Sequence, residues 1–190
     1  MKLFIINGPN LDMLGIREPR IYGKESYADL ENYLRQSAKE LGLEIEIFQS
    51  NHEGALIDEV HRAYFEKADG IIINAGGYTH TSVALMDALL AVSLPVIEVH
   101  LSDPSRREEF RHRSYVAMAA KGSVVGLGFT GYRRAMELQQ TEDVQSRVET
   151  SLRKRFREKI WCNFTKAIRQ YELVKPGDCI AVCISGGKDS

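Results

Sequence analysis

Five short runs rich in β-branched residues recur along the first 140 positions: Lys2 to Asn7, Glu44 to Gln49, Gly70 to Asn74, Pro95 to His100 and Ser123 to Val125. Amphipathic segments lie between them. This alternation restricts the chain to a parallel sheet covered by helices, because parallel neighbours need a long crossover and a helix can hide its apolar stripe on the sheet. Leu30, Leu34, Ala38 and Leu41 recur at helical spacing, with Ser26 placed to cap the start and Gly42 to end the helix. A second helix is predicted from about Gly54 to Lys67, burying Leu56, Ile57, Val60, Ala63 and Tyr64. The third begins near Thr81 or Ser82, carries Val83, Leu85, Met86, Leu89 and Leu90, and stops before Pro95. A short helix after Pro104 and a last one from about Gly131 to Leu138 complete the set. The pattern predicts an α/β fold, a flavodoxin-like doubly wound five-stranded parallel sheet. Phe4, Ile6, Ile45, Ile47, Ile71 and Ile73 are assigned to its core.

The 190 residues are 44% hydrophobic and 27% charged, ordinary values for a globular chain with one good core. No stretch is long and apolar enough to span a membrane, and the opening run is broken too soon by Asn7-Gly8-Pro9 for a secretory signal. A cytoplasmic protein with no membrane partner is expected. The net charge of −1 hides an asymmetry, an acidic excess over residues 1–140 and a basic one over 141–190. Residues 141–150 are polar and read as a linker. Beyond it, Leu152 to Tyr171 reads as a basic amphipathic helix and Pro176-Gly177-Asp178 as a turn. Cys179 to Ile184 then reads as an apolar strand. The three cysteines, Cys162, Cys179 and Cys183, lack a disulfide or zinc pattern and are expected to be buried or free thiols.

In a doubly wound sheet ligands bind outside the carboxyl ends of the strands. The unusual residues collect there: Asn7-Gly8-Pro9-Asn10 after strand one, Asn74-Ala75-Gly76-Gly77 after strand three, and Glu98-Val99-His100-Leu101-Ser102 at strand four. These offer amides, backbone donors and a titratable imidazole to one crevice. His100 has a possible orienting partner in Glu98. Arg106, Arg107, Arg111 and Arg113 could form a solvated face, but a site for a small carboxylate would need at least one of them. Between Gly15 and Gly23, Arg17 and Tyr22 stand on a loop dictated by glycine and proline. A guanidinium beside a phenol favours the phenolate, so the pair reads as an activated base on a lid; the alternative is an ordinary surface loop.

The segments INGPN, LGIREPRIYG, QSNHEG, NAGGYTHTSVALMDAL, PVIEVHLS and REEFRHRS, in this order and spacing, resemble the type II 3-dehydroquinate dehydratases across essentially all of residues 1–140. The resemblance implies removal of water from 3-dehydroquinate to give 3-dehydroshikimate by an anti elimination through an enolate, without metal or cofactor. It further implies a catalytic set in which Tyr22 abstracts the proton, Arg17 holds it as phenolate, and Asn10 and Asn74 position the enolate oxygen through an ordered water. His100 would be the general acid, oriented by Glu98. Arg111 would grip the substrate carboxylate, Leu101 and Ser102 would offer backbone and hydroxyl contacts, and His80 would bind a ring hydroxyl. Asp87 matches a position that reaches a neighbouring subunit's site, in trimers that assemble into a dodecamer.

Residues 151–190 are foreign to that pattern. The Ser185-Gly186-Gly187-Lys188-Asp189-Ser190 loop and the strand before it resemble the start of a PP-loop ATP pyrophosphatase of the transfer RNA thiolation kind. A loop of that type cradles phosphate at a helix start, and the sequence stops before such a helix, so the tail is expected to form no nucleotide site. Two other readings stay open: a small-molecule-binding module on the same sheet, indifferent to Tyr22→Phe, and a bifunctional fusion that also modifies transfer RNA. The basic helix is expected to be a solvated face rather than a nucleic-acid contact.

Overall fold

The computed structural model describes residues 1–16, 25–141 and 162–171. Strand β1 (Lys2–Asn7) is apolar on both sides, as an interior strand must be. Leu3 and Ile5 face one layer of helices and Phe4 and Ile6 the other, all fully buried. With β2 (Glu44–Gln49), β3 (Gly70–Asn74), β4 (Val96–His100) and β5 (Gly122–Val125) it forms one parallel sheet in the order β2-β1-β3-β4-β5. The strand order reverses between β1 and β3, where a doubly wound sheet opens its crevice.

Helix α1 (Tyr27–Leu41) starts at Ser26, where the Ser26 hydroxyl accepts from the Asp29 N–H and the Asp29 carboxylate accepts from the Ser26 N–H. Its stripe of Leu30, Leu34 and Ala38 packs beside Tyr132, Ala135 and Met136 of α5, a helix over residues 130–141. The opposite layer is built from α2 (Glu53–Phe65), α3 (Val83–Val92) and the short α4 (Val116–Ala119). Ser82 caps α3 by accepting from the Leu85 N–H.

Several sequence expectations change. Pro95 falls just outside β4, although its carbonyl still accepts from the Ile71 N–H. Ile45 and Ile47 are only half-buried, because β2 is the edge of the sheet. Tyr64 is 53% exposed rather than buried: the core face of α2 runs through Leu56, Val60 and Ala63 and leaves Tyr64 on its flank. Val83 and Leu90 are likewise exposed, since α3 turns Leu85, Ala88, Leu89 and Val92 inward. The segment after Pro104 is not a helix but two 3-10 turns, Pro104–Arg106 and Glu109–Arg111. The last helix outruns its predicted end at Leu138.

The chain divides into two units, Met1–Glu142 and Asp143–Ser190. Of the second, α6 (Cys162–Gln170) is described, with Cys162 an exposed free thiol. The predicted strand Cys179 to Ile184, the SGGKDS loop and most of the linker lie outside the described residues.

Candidate active site

Asn7 and Asn74 are cross-strand partners at the carboxyl ends of β1 and β3. The chains leaving them stay in contact, main chain against main chain. A Cβ on Gly8 would lie 2.3 Å from the Ala75 carbonyl oxygen, and one on Gly76 would lie 2.9 Å from that of Pro9. Gly76 also has φ +57°, a conformation that costs a side chain strain. The two glycines bring Pro9 and Asn10 of one loop against Gly76 and Gly77 of the other, along a cleft of about 260 Å³.

Asn10 lines this cleft in a left-handed conformation, φ 65°. Its backbone N–H donates to the Asn51 side-chain oxygen at 2.8 Å, and Asn51 in turn donates to Asp12 at 3.0 Å. Tyr78 donates its hydroxyl to the Asn51 carbonyl at 3.1 Å. Asn51, within the QSNHEG segment, therefore ties the loop after β1 to the 3-10 turn that carries Gly76 and His80.

At the end of β4 the His100 Nε2 stands 3.0 Å from a carboxylate oxygen of Glu98. Glu98 is 1% exposed and also accepts from the Ser114 and Ser123 hydroxyls at 2.7 and 2.8 Å. Burial pushes its carboxyl upward, but the hydrogen bonds from His100 and the two serines and the charge of His100 outweigh that and hold it below the usual glutamate range. Glu98 thus remains an anion that accepts from His100 Nε2–H, leaving the Nδ1 position of the ring to other partners. His100, Leu101 and Ser102 all line the cleft.

His80 faces the same space. Its Nδ1 donates to the Arg113 carbonyl at 2.7 Å, so in the neutral imidazole Nε2 carries a lone pair able to accept from a hydroxyl. Of the arginine cluster, Arg111 and Arg107 line the cleft, whereas Arg106 is exposed and Arg113 stacks its guanidinium 4.5 Å over the Tyr115 ring. Arg111 is steadied by Glu108 at 2.8 Å. The combination is a small polar crevice lined by two arginines, two asparagines and an imidazole backed by a buried carboxylate. Asp87 lies exposed on α3 and does not line the cleft. Arg17 and Tyr22 lie outside the described residues, although Met13 and Leu14, just before them in sequence, line it. Among the described residues no group of His, Cys, Asp and Glu is arranged to hold a metal ion.

A family model described as class II dehydroquinase matches residues 1–140. The chain belongs to the class II dehydroquinase family. A Caldicellulosiruptor bescii protein named 3-dehydroquinate dehydratase is 56% identical over 131 residues, which are 69% of this chain and 90% of the relative. The type II dehydroquinase of Butyrivibrio crossotus superposes with a TM-score of 0.73 at 50% identity, over 74% of this chain and 97% of its own. That of Propionibacterium acnes gives 0.71 at 38% identity, over 74% and 96%.

Behind the cleft of this dehydroquinase domain lies a layer that sequence reasoning did not single out. The Tyr132 hydroxyl, from the first turn of α5, donates to the Asn7 side-chain oxygen at 2.6 Å and accepts from the Asn74 side-chain N–H at 3.2 Å. Tyr132 is fully buried, and burial pushes its phenol far above the usual tyrosine range, so the hydroxyl keeps its proton. In the sequence Tyr132 is one more aromatic at a core position of a helix. Arg107 was visible only as one of four arginines, and Asn51 only as part of a motif.

Proposed function

We propose that this cleft binds 3-dehydroquinate and eliminates water from it, giving 3-dehydroshikimate, a hydro-lyase step in aromatic biosynthesis, the third of the shikimate route. The observation that carries the reading is the Glu98–His100 pair opening onto the same small crevice as Asn10, Asn74 and Arg111. In this reading the Tyr22 phenolate, held by Arg17, removes the proton next to the ketone. The C–H electron pair becomes an enolate, whose oxygen Asn10 and Asn74 position through a water. The enolate then collapses, the ring double bond forms and the C–O bond on the opposite face breaks. His100 gives its proton to the departing hydroxyl, and water leaves. Arg111 pairs the substrate carboxylate, His80 accepts from a ring hydroxyl, and Leu101 and Ser102 supply the remaining polar contacts.

Further readings go with that assignment. We infer trimers assembled into a dodecamer, with Asp87 reaching a neighbouring site: Val83, Asp87 and Leu90 share one exposed face of α3, a surface that suits another copy. A cytoplasmic location is proposed from the reaction, and the opening apolar run is used as strand β1. Among the described residues no helix is long and apolar enough to cross a membrane. Residues 141–150 are taken as a linker and 151–190 as a PP-loop-like tail; this division rests on composition and the SGGKDS motif alone.

The test is an ultraviolet assay of the conjugated product with purified protein and 3-dehydroquinate. Wild-type turnover is expected, with a loss of about 100-fold or more in Tyr22→Phe, since a positioned base contributes on that order. Absence of wild-type turnover would overturn the assignment. Turnover unaffected by Tyr22→Phe would remove the tyrosine from it.

A further inference from the structure

The chain of hydrogen bonds behind the cleft has a direction. The Asn74 side-chain oxygen accepts from the Gly76 backbone N–H at 3.3 Å. A backbone N–H can only donate, so the oxygen of Asn74 must stand on that side and its amide nitrogen on the other, facing Tyr132. A tyrosine hydroxyl has one proton, and Tyr132 gives it to Asn7 at 2.6 Å; toward Asn74 it can only accept. Asn7 completes the series by donating its own N–H to the Tyr27 hydroxyl at 3.4 Å. The Gly76 N–H thus sets the orientation of the Asn74 amide, and the Tyr132 oxygen, its proton given to Asn7, accepts at the other end of the same orientation. Asn74 is 5% exposed and lines the cleft, and its nitrogen has a second N–H left to give.

We propose that Tyr132 is a positioning residue whose hydroxyl, hydrogen-bonded to Asn7, holds the Asn74 amide with its N–H toward the water that carries the enolate oxygen. The proposal rests on the dehydratase reading of the cleft. Asn74 turned end for end would present a carbonyl lone pair and take up one of the two protons that this water has to give, leaving the developing enolate less well held. An amide that can rotate is only partly populated in the useful orientation, whereas one held at both ends meets the transition state without rearranging.

The experiment is a double-mutant cycle in kcat/KM for 3-dehydroquinate with Tyr132→Phe and Asn74→Ala, each variant also followed by urea unfolding. Tyr132→Phe in the otherwise native chain is expected to lower kcat/KM about tenfold, the value of one hydrogen bond. In the Asn74→Ala background it is expected to have no further effect. A Tyr132→Phe protein as active as wild type, or one whose loss is the same in both backgrounds, overturns the proposal and leaves Tyr132 a packing residue. If Tyr132→Phe does not fold, the cycle is repeated with Asn7→Leu, which releases the tyrosine proton to point at Asn74 and is expected to give the same non-additive loss. Failure of both to fold assigns the network to stability and also overturns it. A wild-type protein without turnover would instead sink the dehydratase reading on which the proposal depends, so the two failures are distinguishable.

Discussion

At the scale of single residues, the buried carboxylate of Glu98 carries the sharpest consequences. Glu98→Gln keeps the shape and the two serine contacts but replaces a charge with an amide beside His100 Nε2. The proton then has no anion to hold it in place, and kcat is expected to drop about 100-fold, measured in the same ultraviolet assay. A second effect concerns acid stability. In the folded state Glu98 titrates below its ordinary value of 4.5, so the folded protein binds fewer protons than the unfolded chain between those two points. The stabilisation is complete above 4.5 and is lost as pH falls through the lower, folded value. Urea unfolding between about pH 6 and pH 3 should therefore show a shallower acid decline in Glu98→Gln than in wild type.

At the scale of elements, the site depends on how closely two strand ends approach. Gly8→Ala sets a methyl 2.3 Å from the Ala75 oxygen, which only a shift of main chain can relieve. Overpacking of this kind costs about 1–3 kcal/mol, and here the shift also moves Asn10 away from Gly76. A lower urea midpoint together with a raised KM is expected; a stability loss with unchanged KM would mean that the two loops are not coupled to binding. Much of this arrangement could be read from sequence. The strands were legible because buried β-branched runs alternate with helical stripes, and the cleft followed because Asn10, Asn74, His80, His100, Ser102 and Arg111 cluster after strand ends. What stayed hidden has a common physical cause, partnership between residues far apart in the chain. Asn51 follows the edge strand, yet its partners Asn10, Asp12 and Tyr78 lie on other elements. Tyr132 sits at core spacing in α5, and only its contact with two strand ends reveals a polar task. The exposed faces of Tyr64, Val83 and Leu90 escaped for a different reason: α2 and α3 carry apolar residues beyond their buried stripes, so periodicity alone does not say which face turns inward.

At the scale of the whole molecule, the Butyrivibrio and Caldicellulosiruptor relatives are matched over 97% and 90% of their own lengths by roughly three-quarters or less of this chain. Residues past 140 are thus additional to the unit those proteins share with it. A chain ending near Gln140 is expected to keep the kcat/KM of the 190-residue chain and to sediment as the same oligomer. A loss of activity on truncation, or a change in size, would give the tail a part in assembly. Within the shared unit, the order of synthesis meets the geometry of the cleft in an unexpected way. Asn7 and Tyr132 are 125 residues apart, so at about 5–20 residues per second a ribosome delivers the acceptor roughly 6–25 s before the hydroxyl that fills it. The sheet can begin to assemble early, from β1 to β3, but the Asn74 amide, already held by the Gly76 N–H, gains its contact with Tyr132 only when α5 docks. The residues that line the cleft are all made by Arg111, and the layer behind them is completed last.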